Sequence, residues 1–269
     1  TVDGGANTAT ISDLSINFAS TSTSGSTGTG IVATNGGSAS INHLVIDGPA
    51  VGLGAWVRTG SALTLTGGSQ VTVSSARNGQ AYSFSPGPTS SMATTTIFGS
   101  VSAPSQRAAG LVQGGTLNST GTTWNNPTAN GYGLYAGLNG SAPSTLNLTG
   151  DTVTSTGANG VTLQTYNNSA VTASNTTFRN DNGLVGIYQW SYGGAAGQVT
   201  QDNRIALINS NVTTTGTAYG LYSNNSSNGY AHAVTLQGGS LTSDRWAIIA
   251  EGPLLLTATD GARVAGTQG

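Results

Sequence analysis

Short apolar–polar alternations recur along the whole chain and fall into register when set beneath one another. TISDLSIN (10–17), INHLVIDG (41–48), ALTLTGGSQVTV (62–73) and TTTIFGSV (94–101) open the series. GTLNSTGTTW (115–124), TLNLTGDTVTSTG (145–157) and AVTASNTTFRND (170–181) continue it, and IALINSNVTTTG (205–216), AVTLQGGSLTSD (233–244) and LLLTATDGARV (254–264) close it. Taking the second apolar position as anchor gives Leu148, Ala173, Leu207 and Leu236, spaced by 25, 34 and 29 residues. Five positions after each anchor another apolar residue follows, namely Val153, Phe178, Val212 and Leu241. Ahead of these tracts runs a second phrase, GYGLY at 131–135 and AYGLY at 218–222, with looser copies GVTLQTY (160–166) and GIYQW (186–190).

A repeat of about 27 residues points to a solenoid, a propeller or an array. Period-2 alternation bounded by Gly, Asn, Asp and Ser reads as strands of two to five residues with a corner at each end. Helical spacing is absent, and a four-stranded propeller blade needs around 40 residues. Three short strands per unit fit. In the unit from Gly160 these are Val161–Leu163, Val171–Ala173 and the stretch at Phe178, with a tight corner at Asn175. The prediction is an all-β parallel β-helix of about ten coils, one domain over 1–269, each strand pairing one coil up or down at about 4.8 Å.

Composition fits that stack. Glycine supplies 41 residues, and charged residues make up 6% against roughly 25% on average. Like charges on neighbouring coils would repel, and Gly and Asn suit corners that need positive φ. With 36% hydrophobic residues the chain can bury a core. Every basic residue is an arginine, and the net charge of −2 gives no footprint for nucleic acid. No run approaches a membrane-spanning length, and the start TVDGGANTAT lacks the features of a signal peptide. Cysteine is absent, which suits a chain that crosses an oxidising compartment unfolded.

Length variation is concentrated between the GLY-type strand and the LxLTG-type strand. The inserts are expected near 137–144, 190–203 and 223–232, with a smaller one at 165–169. Insertions at a single corner mark one edge of a solenoid, commonly its binding edge. Leu134 takes the inward phase, which turns Tyr135 outward. Tyr188 and Tyr222 repeat that arrangement, giving an outer tyrosine column interrupted at Thr162. Tyr135, Tyr188 and Tyr222, with Trp190, Tyr192 and Tyr230 from the long inserts, are the candidate partner-binding residues. The alternative is that these rings only cover a sheet face. Trp56, Trp124 and Trp246 are expected in the core or at its edge.

The units resemble the passenger domains of pertactin-type and AIDA-like autotransporters. The resemblance rests on the G-[LVI]-x-[LVA] strand followed by [VL]-x-L-x-G-x-x-[VL]-x-[ST]-x-G, clearest at 62–73 and 145–157, and covers nearly all the chain. It implies a right-handed β-helix, secreted or held at the surface of a Gram-negative bacterium after export through an outer-membrane β-barrel translocator, which is missing from this chain. The family includes adhesins, self-associating proteins, host-protein binders and some proteases. No Arg-Gly-Asp tripeptide occurs.

Catalytic chemistry has little to work with. A glycosidase needs two carboxylates about 5–9.5 Å apart. Asp151, Asp181 and Asp244 fall at corners, where Asp satisfies turn N–H groups; Asp181 and Asp202 approach each other only if the insert folds back, and Arg179 and Arg204 stand ready to neutralise them. His43 falls in a strand, and His232 ends a loop. Two histidines without a third soft ligand give no metal site, and no cofactor is implied. The expectation is therefore a non-enzymatic rod that binds a host surface, matrix or serum protein, or a glycan. Self-association of neighbouring rods, for aggregation or biofilm, and a carbohydrate-active β-helix are the alternatives.

Overall fold

The computed structural model describes residues 1–5, 7–18, 28–58, 60–73, 82–85, 94–102, 108–137, 143–191, 203–225 and 231–268, with the side chains of 82–85 and 94–102 outside that description. Every strand pair among them is parallel and joins one coil to the next, so the chain winds as a right-handed parallel β-helix, the hand expected of parallel crossovers. The first ladder has ten strands, from Val2–Asp3 to Ile248–Glu251. It includes Ala108–Val112, Tyr132–Ala136, Val161–Tyr166, Val185–Ser191 and Tyr219–Asn225. Beyond residue 108 the second and third ladders are distinct, with six strands each. They begin at Thr116–Thr120 and Thr123–Asn126.

In the first four coils those two ladders are served by single long strands, Thr8–Asn17, Ser38–Asp47, Ala62–Thr72 and Thr94–Ser102. These exceed the two to five residues expected of each strand, because pairing with the next coil continues round the corner. Thr94–Ser102 marks the division, since it pairs with both Thr116–Thr120 and Thr123–Asn126.

The anchor columns stack as the spacing predicts. Leu148, Ala173, Leu207 and Leu236 are register partners in the second ladder, and Val153, Phe178, Val212 and Leu241 in the third. All are buried in one continuous core, which no single coil could enclose. Trp124 heads the third-ladder column, fully buried, with Nε1 donating to Ser119 Oγ at 3.1 Å. The indole is accommodated by small neighbours: a Cβ on Gly110 would lie 2.8 Å from its ring.

The corner between the second and third ladders keeps nearly constant length, and its backbone explains why. Gly121, Gly150, Asn175, Asn209, Gly238 and Asp260 all have positive φ, from 48° to 65–66°. The first five each donate a backbone N–H to the carbonyl of the next coil, at 2.8–3.0 Å. Gly, Asn and Asp are the residues that enter this region most readily. His43 also lies here at φ 58°, at the bend of a long strand, with Nδ1 3.1 Å from Asp13 Oδ1.

Gly133 owes its place to space. A Cβ there would sit 2.8 Å from Val153 Cγ1 and 2.6 Å from the Thr162 carbonyl. Gly110, Gly186 and Gly220 face core side chains at 2.6–2.9 Å in the same way. Gly133 and Leu134 therefore both lean inward while Tyr132 and Tyr135 lie outside, with their rings edge to face at 5.1 Å. Thr162 occupies the glycine's register place, between the pairs Tyr132↔Val161 and Leu134↔Leu163. It is fully buried and donates Oγ1 to the Arg179 carbonyl at 3.1 Å.

Candidate functional site

The outer tyrosine row exists, but its members and its interruption differ from strict alternation. Leu111, Tyr135, Gln164, Tyr188, Tyr222 and Ile249 follow one another in register. Gln164, not Thr162, breaks the row, because Leu134 pairs with Leu163 and the residue after each leucine is therefore the register partner. Tyr135 lies in the row yet is only 8% exposed. It packs with Ala108, Leu111 and Tyr166 in a small cluster outside the main core, so it offers little ring to a partner.

Tyr188, Tyr222 and Trp190 are half-buried and form one stack. Tyr188 and Tyr222 are parallel at 5.1 Å between ring centroids, and Tyr188 and Trp190 at 6.2 Å. Tyr166 closes the group edge-on against Trp190 at 5.0 Å. The 5.1 Å spacing follows from the strand spacing of about 4.8 Å. Because these rings face one another, the ridge presents edges and hydroxyls to solvent. Burial, with repulsion from Tyr222, Glu251 and Tyr132, pushes the Tyr188 phenol up to about 12. Burial and a hydrogen bond with Glu251 raise that of Tyr222 as well. Both phenols are therefore neutral at physiological pH. The rim is polar: Asn224 Nδ2 donates to Glu251 Oε2 at 2.9 Å.

Trp190 and Ser191 belong to the strand Val185–Ser191, and His232 begins the strand His232–Gln237. Tyr192 and Tyr230, with most of the inserts assigned to 137–144, 190–203 and 223–232, lie outside the described residues. The small insert expected at 165–169 is not one: Val161–Tyr166 and Ser169–Ser174 are joined by Asn167 and Asn168 alone, both buried.

Where Val185–Ser191, Tyr219–Asn225 and His232–Gln237 meet, the interior turns polar, which the alternation did not reveal. His232, the first residue of its strand, is fully buried: Nε2 lies 2.7 Å from Ser191 Oγ and Nδ1 2.8 Å from Ser223 Oγ. Gln189 Nε2 donates to the Asn203 carbonyl at 3.2 Å. Inward-facing Ser, Asn and His read as loop residues when only apolar periodicity is followed.

The three tryptophans part company. Trp124 is core. Trp56 is half-buried with Arg58 Cζ 4.4 Å from its ring centroid, while Trp246 is 46% exposed, against the expectation of a core or core-edge place. Trp246 packs obliquely on Tyr219 at 6.2 Å, and Arg245 Cζ lies 4.6 Å from the Tyr219 ring centroid.

The corner carboxylates do as their positions suggest. Asp151 is 1% exposed, and its Oδ1 accepts the Thr122 N–H at 2.7 Å. Burial raises its pKa to about 6, tempered by hydrogen bonding with Ser119, the Thr122 N–H and Trp124. Asp181 pairs with Arg179 at 2.8 Å and accepts from Thr215 Oγ1 at 3.0 Å. Asp244 Oδ2 accepts the Gly216 N–H at 3.0 Å. Among the described residues no three His, Cys, Asp or Glu side chains gather as metal ligands, and no helix is long and apolar enough to cross a membrane. Comparisons with protein families, with curated proteins and with solved structures gave no match.

Proposed function

We propose that this chain is a rigid binding rod of the autotransporter-passenger type, carried on or shed from a Gram-negative surface, that adheres to a host surface, matrix or serum protein, or glycan. The single observation behind this reading is the half-exposed stack Tyr222–Tyr188–Trp190 on the first ladder. Tyr and Trp are the residues that concentrate binding energy at interfaces, and a stack built on paired strands is pre-organised before a partner arrives. Its polar edge, with the phenols, Asn224 and Glu251, suits a partner met by hydrogen bonds to ring edges. Catalysis is left out of the reading, since Asp151 is sealed and Asp181 is held by Arg179.

The test is binding of the purified chain to an array of matrix proteins, serum proteins and glycans, beside the double variant Tyr188→Ser/Tyr222→Ser. A loss of at least tenfold with unchanged circular dichroism is expected. Equal binding by the two proteins would remove the stack from the function.

Self-association is the second reading, supported by the outer face of the second ladder. Asn118, Asn147, Thr172, Ala206, Thr235 and Thr257 form one outward row without a charge. Rods that pair through it would sediment as a concentration-dependent assembly, abolished by Asn147→Asp with Thr172→Asp.

A further inference from the structure

Most of the rod's interior is apolar, but where the first ladder gives way to the second a group of polar side chains is buried with bonding capacity left over. Thr165 and Gln189 are register partners on consecutive first-ladder strands, and Asn203 opens the second-ladder strand that follows, Asn203–Ile208. All three residues are 0–1% exposed. Gln189 Nε2 donates to the carbonyls of Asn203, at 3.2 Å, and of Ala233, at 3.4 Å. Those two bonds fix which end of the amide is which, so Gln189 Oε1 is directed elsewhere, and no protein group bonds it. Thr165 Oγ1 and both polar atoms of the Asn203 side chain are likewise without a partner.

Four such atoms gathered at one corner are costly to bury, because each gives up the hydrogen bonds it makes to water in the unfolded chain. Interiors meet such groups with a protein partner or with ordered water. His232, the register partner of Asn203, does not serve, since its two ring nitrogens lie against Ser191 and Ser223. The chemistry of the set decides what is held. Gln189 Oε1 and Asn203 Oδ1 need donors, Asn203 Nδ2 needs an acceptor, and Thr165 Oγ1 serves either way. A cation would satisfy the oxygens alone and be repelled by the Asn203 amide hydrogens. It would also find no counter-charge: among the described residues the one buried carboxylate is Asp151, at the other corner. An anion would face the two amide oxygens. Water donates and accepts, and fits the whole set.

We propose that the rod binds ordered water within itself at this corner, with at least one molecule bridging Gln189 Oε1 and the Asn203 side-chain amide, and Thr165 Oγ1 joined to the same small cluster. A buried water makes about three hydrogen bonds, so a bridge between these groups uses the capacity of both partners. The site gives this corner a wet lining, whereas the anchor columns through Leu148 and Val153 are lined by apolar side chains. It is separate from the aromatic stack and does not rest on the binding function proposed above.

Water–protein nuclear Overhauser spectroscopy on the whole, isotope-labelled chain tests it. The side-chain amide signals of Asn203 and Gln189 should show cross-peaks to water with the sign of a long-held molecule, and rotating-frame spectra separate these from chemical exchange. Asn203→Leu keeps the backbone carbonyl that Gln189 Nε2 bonds but removes one end of the bridge, so the Gln189 cross-peak should be lost. Asn147→Leu, on the outer face, should leave it in place. Exchanging sodium for potassium, calcium or choline should leave the signals where they are. The proposal is overturned if the wild-type amides show no long-held water, or if Asn203→Leu keeps the Gln189 cross-peak. It is overturned equally if the signals move with the cation, which would make this a cation site. Should Asn203→Leu fail to fold by circular dichroism, the wild-type spectra and the cation series decide the matter alone.

Discussion

The two corners that bound the second ladder share left-handed residues and differ in what is added to them. From second to third ladder the chain turns through one left-handed residue, or two at Gly67–Gly68, Gly238–Gly239 and Asp260–Gly261, and from Gly121 to Gly238 the backbone N–H of the first bonds to the next coil. Side chains of the following coil reach back as well: Thr122 N–H meets Asp151, Thr176 N–H meets Ser210 Oγ at 3.0 Å, and Leu44 N–H meets Ser69 Oγ at 3.0 Å. From first to second ladder left-handed residues recur as well, at Asn35, Gly36, Gly114, Gly137, Asn168 and Gly252, and in the later coils buried side chains add to them: Gln189 reaches the Asn203 carbonyl and His232 spans Ser191 and Ser223. The intervening chain there ranges from Asn167–Asn168 to the whole stretch between Ser191 and Asn203. A corner closed by its own backbone fixes its length, whereas one closed by side chains on the flanking strands leaves the chain between them free to lengthen. Among the described residues the differences in strand-to-strand length therefore fall at the first-to-second corner.

The sharpest way to break this contrast is to change the length of each corner. One glycine inserted between Gly150 and Asp151 would put the third-ladder strand Thr152–Ser155 out of register, turning Val153 outward and withdrawing Asp151 from Thr122. A one-residue slip exchanges the two faces of a strand, so a loss of more than about 4 kcal/mol is expected. Removing residues 227–229 should cost less than about 1 kcal/mol. Urea denaturation of both variants checks this, and equal costs would refute the division of labour.

Much of this architecture was legible in the sequence, because the same physics that stacks Leu148, Ala173, Leu207 and Leu236 also spaces them along the chain. The left-handed corner was legible through Asn175 for the same reason, since few residues accept that backbone. What misled was the assumption of strict alternation through GYGLY. Gly133 and Leu134 both lean inward there, so Thr162, in the glycine's register place, is buried. The His232 cluster was illegible because inward polar residues leave no apolar period. The exposure of Trp246 depends on how its coil packs, and an isolated tryptophan in a sequence carries no sign of that.

A second test addresses the charge inside the constant corner. Asp151 has its pKa raised to about 6 from 3.8, so the folded chain holds this proton more tightly than the unfolded one. The stability it lends is present below about pH 4 and is lost as pH rises through about 6. Asp151→Asn keeps an oxygen for the Thr122 N–H and removes the titration. The variant should match wild type near pH 4 and exceed it at pH 7.5 by up to ~3 kcal/mol, taking 1.36 kcal/mol per unit. Urea melts at the two pH values read the difference. A wild type that gains on the variant as pH rises would mean that the corner favours the carboxylate, and that its backbone geometry is not what holds it.

The smallest expected effect isolates the left-handed residue itself. Asn209 has φ 48°, and its N–H donates to the Gln237 carbonyl at 2.8 Å. Neither feature needs its side chain, so Asn209→Gly should change stability by no more than about 0.5 kcal/mol. Asn209→Ala keeps the hydrogen bond but places an ordinary Cβ in the left-handed region, which costs roughly 1–2 kcal/mol per residue relative to the right-handed one. The alanine variant should therefore fall about 1 kcal/mol below the glycine variant in urea melts. At Asn167, which is buried and not left-handed, the ranking should narrow or reverse, because glycine there removes a buried amide as surely as alanine does. If glycine proved as harmless at Asn167 as at Asn209, the buried amide would add nothing to that corner, and its variable length would need another cause.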